Sequence, residues 1–268
     1  MVLHISECSP WRTLCDATKM NFEPKEGLHN MNNANDIKTE ASKNHYISVA
    51  IDGPAGAGKS TIAKRVAQEL GYLYVDTGAI YRTVGYHMSL MGIGPKDKDG
   101  IARCIDDVNI DIRYGDDGLQ HMILNGQDVT DRIRTPEISM MASGVAAQSC
   151  VRSYLLDMQR QLARTHNVVM DGRDIGTVVL PKAQVKVYLT ASAEVRAERR
   201  WKELTAKGEQ LRFEEVYTDV VKRDEQDMNR AIAPLKCADD AEVLDSSYLT
   251  IDQVVAEMKA IIRRKTAQ

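Results

Sequence analysis

Ile47-Ser48-Val49-Ala50-Ile51-Asp52-Gly53-Pro54-Ala55-Gly56-Ala57-Gly58-Lys59-Ser60-Thr61 begins as a short apolar run rich in β-branched residues and then passes through a glycine-rich turn. It continues into Ile62-Ala63-Lys64-Arg65-Val66-Ala67-Gln68-Glu69-Leu70, whose apolar residues recur at helical spacing. The pattern predicts strand, loop, helix. Gly53, Gly58, Lys59 and Ser60 meet the spacing G-x-x-x-x-G-K-[ST]. In such a loop, backbone N–H groups and the lysine surround nucleotide phosphates while the hydroxyl ligates Mg²⁺. The glycines admit positive φ and close approach of backbone to anion. The helix N-terminus adds partial positive charge, and Lys59 neutralises charge near a transferred phosphate.

Outward from this loop, composition bounds the rest. A 268-residue chain with 43% apolar and 27% charged residues is globular and long enough for a sizeable core, as one large or two small domains. A net charge of −3 argues against broad nucleic-acid or membrane-surface binding, so any polyanion contact is local. No apolar run approaches the roughly 20 residues that span a bilayer. The N-terminus also lacks the basic-then-apolar pattern of a secretory signal, and a cytoplasmic protein is expected. Cys8, Cys15, Cys104, Cys150 and Cys237 are scattered, odd in number and without a C-x-x-C pair, which points to reduced thiols. His4, Cys8 and Cys15 make only an incomplete zinc set, since no second metal-spaced pair accompanies them. Residues 1–44 have few apolar residues at any regular period and are rich in Asn, Lys, Glu and Thr, predicting a disordered tail. Met20 and Met31 are alternative starts that would make it a gene-boundary artefact; a regulatory or docking segment is the other reading.

Further along, Gly71 is a natural end for the first helix, and Tyr72-Leu73-Tyr74-Val75-Asp76 reads as a buried strand. Thr77 is placed to cap the next helix, where it shares a face with Tyr81, and Arg82 follows. From 105 to 131 the pattern changes to alternating runs, Val108–Tyr114 and Leu119–Leu124, separated by a turn and followed by the hairpin signal Asn125-Gly126. This predicts a small antiparallel insert. Arg134-Thr135-Pro136-Glu137 opens helical segments running through Ser143 to Leu156. Asn167–Asp171 is a third parallel-type strand that delivers Gly172-Arg173-Asp174 at its carboxyl end, where ligands of open α/β sheets bind. Val185–Thr190 is a fourth, followed by a helix from Ser192 to Lys207 and a helical pair from Phe213 to Arg230. Ala241–Asp245 is the fifth strand, and Thr250-x-x-Gln253 forms a capping box for the last helix. Alternation of strand and helix predicts an α/β fold with a five-stranded parallel sheet and helices on both faces.

Arg196, Arg199 and Arg200 share one helical face, and Arg223, Asp227 and Arg230 recur at i, i+4, i+7. Beside a phosphate loop, such arginines suit phosphoryl transfer, which needs its equatorial oxygens neutralised and water excluded.

Together these residues resemble the bacterial-type cytidylate kinases. The resemblance is carried by Ile51–Ser60, Asp76-Thr77-Gly78-Ala79-Ile80-Tyr81-Arg82, Asp171–Val179, Arg223-Asp224-x-x-Asp227-x-x-Arg230 and Ala233-Pro234-Leu235, in the family's order, from about Tyr46 to the C-terminus. One departure is Ser149-Cys150, where many relatives carry a proline before the Val151-Arg152 pair. The resemblance implies a monomeric ATP:CMP phosphotransferase accepting CMP and dCMP. By position, it implies that Gly53, Pro54, Ala55, Gly56, Ala57, Gly58, Lys59, Ser60 and Thr61, with Arg199 and Arg200, bind ATP. Thr77, Arg82, Arg173 and Arg230 would hold the acceptor phosphate, Tyr81, Arg223 and Asp227 the ribose, and Ser143, Arg152 and Asp174 the base. Lys59, Arg173, Arg223 and Arg230 would be catalytic, and Ser60 and Asp171 would serve Mg²⁺. Residues 105–131 would belong to the CMP-binding region and 192–232 to a lid. A kinase for another acceptor such as UMP is the nearest alternative. A nucleotide-hydrolysing switch is the more distant one, and it lacks both an N-K-x-D motif and an Asp-Glu pair after Asp171.

Overall fold

The computed structural model describes residues 46–115 and 118–267. The expected tail, the His4, Cys8 and Cys15 set and the turn at 116–117 lie outside them.

β1 (Ser48–Asp52) is buried along its whole length, which requires cover on both faces. It lies at the centre of a parallel sheet ordered β2 (Leu73–Asp76), β6 (Val168–Asp171), β1, β7 (Val185–Thr190), β8 (Glu242–Asp245). Alternation along β1 feeds two cores. Val49 and Ile51 pack with Ile62 and Val66 of α1 (Lys59–Leu70) and with Val254 and Met258 of α8 (Ile251–Thr266). Ala50 turns the other way, toward Ile80 and Val84 of α2 (Thr77–Leu90), Val145 of α4 (Pro136–Ala146) and Leu155 of α5 (Ser149–Thr165). The five expected strands are therefore present, all parallel, between two helical layers.

The insert forms a separate antiparallel sheet of β3 (Ile110–Tyr114), β4 (Gln120–Leu124) and β5 (Gln127–Asp128). Asn125 and Gly126 both take positive φ, at 49° and 84°, as a type I′ hairpin turn demands. It is fastened to the edge strand of the main sheet. The Gln120 side chain accepts from the Asp76 amide at 2.8 Å and donates to the Asp76 carbonyl at 3.3 Å, while the Tyr114 hydroxyl donates to the Tyr74 carbonyl at 2.9 Å.

Two local expectations are corrected. Asp76, not Thr77, caps α2, accepting from the Ala79 amide at 2.8 Å; the Thr77 hydroxyl instead donates to the Asp171 carbonyl at 2.7 Å. The predicted helical pair after residue 213 is one helix, α7 (Phe213–Met228), so Arg230 lies beyond its end. The chain there is irregular, with Ala233 at φ 48° and the Leu235 amide folded back onto the Asp227 carbonyl. A short α3 (Lys98–Cys104), capped by Asp97, and a π-helical turn at Ile175–Val179 had no clear signal. α6 (Ala193–Ala206), capped by Ser192, and the reciprocal Thr250–Gln253 box on α8 are as expected. No helix among the described residues is long and apolar enough to cross a membrane. Cys104, Cys150 and Cys237 are free thiols.

Candidate active site

The loop from Gly53 to Gly58 is shaped by what its neighbours forbid. A Cβ on Gly53, at φ 147°, would sit 2.0 Å from the Leu189 carbonyl oxygen, so only glycine passes β7 there. Gly58, at φ 87°, turns the chain into α1, whose first turn has no side-chain cap and no acidic residue. Its amides remain available to an anion. Lys59 is buried and donates through Nζ to the Pro54 carbonyl at 2.7 Å. Burial, and then repulsion from Arg173, hold its ammonium well below the usual lysine range.

Facing the loop, Ser60 Oγ donates to Asp171 Oδ2 at 2.9 Å and Tyr74 Oη donates to Oδ1 at 3.0 Å. Burial, then the nearby Asp76 charge, push the Asp171 carboxyl up to about 6, against the pull of Lys59, Ser60 and Tyr74. Asp52, at the end of β1, accepts from the Ile175 and Gly176 amides at 2.8 and 2.7 Å. It thereby fixes the π-helical turn that follows Asp174. Burial raises its carboxyl to about 6 as well, although both amide bonds oppose this.

Beyond the loop the arginines converge. Arg82 bonds Asp76 at 3.0 Å, Arg173 bonds Asp227 at 2.8 Å, and Arg230 lies 3.9 Å from the same Asp227 carboxylate. Arg223 makes no hydrogen bond or ion pair among the described residues. Its guanidinium is depressed by burial first, then by Arg173, with Arg82 and Arg200 adding repulsion and Asp227 offsetting it. The group carries more positive charge than its carboxylates cancel. A few residues away, Arg152 and Asp174 form a buried ion pair; Arg152 also donates to the Ala146 carbonyl at 3.1 Å and lies 5.7 Å from the centroid of the Tyr81 ring. Burial raises the Asp174 carboxyl, with Arg152 foremost among the groups lowering it.

Ala55 to Thr61, Thr77, Tyr81, Arg82, Ser143, Arg152, Asp171, Arg173, Asp174, Arg199, Arg200, Arg223, Asp227 and Arg230 all line one cleft of about 750 Å³. Gly53 and Pro54 are not among the lining residues, and Pro54 is tied to the cleft through the Lys59 bond to its carbonyl. The face read from Arg196, Arg199 and Arg200 divides into three tasks. Arg196 is buried in a bidentate pair with Asp224 (3.0 and 2.6 Å) and reaches the Ala55 carbonyl at 3.0 Å. Arg199 bonds the Ser246 carbonyl at 2.7 Å, and Arg200 pairs with exposed Glu203 at 2.9 Å. Sequence reasoning missed the apolar wall of Leu249, Ile251 and Val254 beside Arg199, together with Asp52 and Tyr74. An acid closing an apolar strand was the available signal for Asp52; the wall had none, because it forms only when α8 docks beside α1.

The profile of the family described as cytidylate kinase matches residues 49–264. Named cytidylate kinases from Carboxydothermus hydrogenoformans, Geobacter sulfurreducens and Lactobacillus johnsonii are 50%, 48% and 47% identical to this chain. The matches cover 81%, 81% and 83% of this chain and 97%, 93% and 96% of those proteins. With a matched profile across the whole sheet and cleft, and relatives near half-identical over almost their full length, the chain belongs to the cytidylate kinase family.

Proposed function

We propose that the chain transfers the γ-phosphoryl group of ATP to CMP or dCMP, giving ADP and CDP or dCDP. The observation that carries this is Arg223, which makes no ion pair among the described residues and is crowded by Arg82, Arg173 and Arg200, in the cleft that also holds Arg230 and the phosphate loop. Crowded guanidiniums repel one another until anions enter. The acceptor is already an anion, so no catalytic base is required, and the residues act by alignment and charge neutralisation. Lys59 and the α1 amides take the donor phosphates. Arg199 and Arg200 lie beside the donor nucleotide, whose flat base suits the wall of Leu249, Ile251 and Val254. Thr77, Arg82, Arg173 and Arg230 hold the acceptor phosphate, and Tyr81, Arg223 and Asp227 its ribose. The span 192–232, carrying Arg199, Arg200 and Arg223, closes over the donor and excludes water.

Ser60 and Asp171 present two hard oxygen donors 2.9 Å apart at the loop, a set that fits Mg²⁺. Bound there with ATP, Mg²⁺ would supply further neutralisation of the phosphate oxygens.

Ser143, Arg152 and Asp174 read the base. Cytosine offers an amino donor where uracil offers a carbonyl acceptor, so the Asp174 carboxylate favours the first and repels the second. Arg152 neutralises Asp174 and faces the pyrimidine acceptors. ADP release measured with Mg·ATP and CMP, dCMP, UMP, AMP, GMP or no acceptor tests the reading. CMP and dCMP are expected to exceed UMP and the blank, and Asp174→Asn is expected to lower the CMP-to-UMP ratio of kcat/KM by at least about tenfold. Equal ADP release without acceptor would mean a nucleotide hydrolase, and preference for AMP or GMP would overturn the base assignment.

A further inference from the structure

The phenol of Tyr74 has no part in the chemistry assigned so far, yet it touches the carboxylate at the centre of it. Tyr74 lies on β2 two residues before Asp76, the residue in register with Asp171 on β6. Its ring belongs to the layer that packs against α1, alongside Val169. From there Oη donates to Asp171 Oδ1 at 3.0 Å, while Ser60 donates to Oδ2 at 2.9 Å. Each carboxylate oxygen thus has its own donor. A carboxylate swivels easily about Cβ–Cγ because that torsion is broad; a donor on each oxygen removes the freedom. Tyr74 takes Oδ1 and leaves Oδ2 to Ser60. The strand carrying Tyr74 is itself fixed from the far side by Tyr114, whose hydroxyl bonds the Tyr74 carbonyl at 2.9 Å.

We propose that Tyr74 is a positioning residue for the metal-binding carboxylate, locking Asp171 in the orientation that presents Oδ2 beside Ser60 to Mg²⁺. The inference rests on the reading of Ser60 and Asp171 as the Mg²⁺ site. Partners that orient a metal-binding carboxylate typically change metal affinity by 10- to 100-fold when removed.

The test is calorimetric and uses the full chain. Affinity for ATP is measured with excess Mg²⁺ and again with EDTA, and the ratio of the two reports the metal's contribution without turnover. Tyr74→Phe keeps the ring and its packing. It is expected to lower the ratio about tenfold while leaving metal-free ATP affinity unchanged, and to raise the half-saturating Mg²⁺ of turnover. Asp171→Asn is expected to lower the ratio at least as far, and adding Tyr74→Phe to it should lower the ratio no further, because Tyr74 acts only through the Asp171 carboxylate. If Asp171→Asn collapses the ratio and Tyr74→Phe leaves it intact, with or without a loss of thermal stability, Tyr74 is structural and the inference is overturned. If Asp171→Asn itself keeps the wild-type ratio, the Mg²⁺ site assignment falls and takes the inference with it.

Discussion

Lys59 is a residue costly to the fold and well placed to meet a phosphate. Its ammonium is buried, and Arg173 presses on it from across the cleft. A cation held this way gains little from the protein alone and much from a phosphate. Lys59→Ala is therefore expected to cut turnover by at least about 100-fold, while the thermal midpoint stays level or rises; steady-state kinetics beside a melting curve check both. That Lys59, Ser60, Arg173 and Asp227 meet in one cleft was legible in the sequence, because motif spacing groups side chains suited to one chemistry. Asp52 and Tyr74 were not, since their partners are the Ile175 amide, 123 positions on, and Asp171, 97 positions on. Local pattern shows an acid closing β1, but neither long-range partner leaves a mark on it.

At the scale of elements, hydrophobic period and cap chemistry located all five parallel strands, the antiparallel insert and the long helices. The errors have local causes. Asp76 and Thr77 are both good capping residues, and the choice between them fell to Arg82 and the Gln120 clamp, which hold Asp76 in place. The end of α7 was overread because no glycine or proline intervenes before Pro234, yet Arg173 draws Asp227 inward and the chain turns off after Met228. α6 and α7 are tied to each other and to the phosphate loop by the buried Arg196–Asp224 pair and the bond to the Ala55 carbonyl. Arg196→Ala is expected to cost about 3–5 kcal/mol, because it strands the Asp224 charge. Arg196→Met with Asp224→Leu should recover most of that in urea denaturation while still impairing turnover, since the tie to Ala55 is gone.

For the whole molecule, two buried carboxylates shape the pH dependence of stability. Asp52 titrates near 6 when folded and near 3.8 in its ordinary state, so the folded protein binds the extra proton between those values. Its contribution is full below about pH 3.8 and is lost as pH rises through about 6. The stability of the wild type relative to Asp52→Asn is thus expected to fall by about 3 kcal/mol across that window, measured by urea unfolding at stepped pH. Asp171 tilts both proteins alike and cancels in the comparison. Asp227, whose burial is outweighed by Arg173 and Arg230, acts in the opposite sense below about pH 4.

The sheet order has a consequence for synthesis. β1 emerges first but pairs only with β6 and β7, and Ser48 meets Val168, 120 positions later. At about 5–20 residues per second, the central strand waits about 6–24 s on the ribosome with both its edges open. The apolar run that anchors the finished sheet is, during that interval, an unpaired strand open to wrong partners.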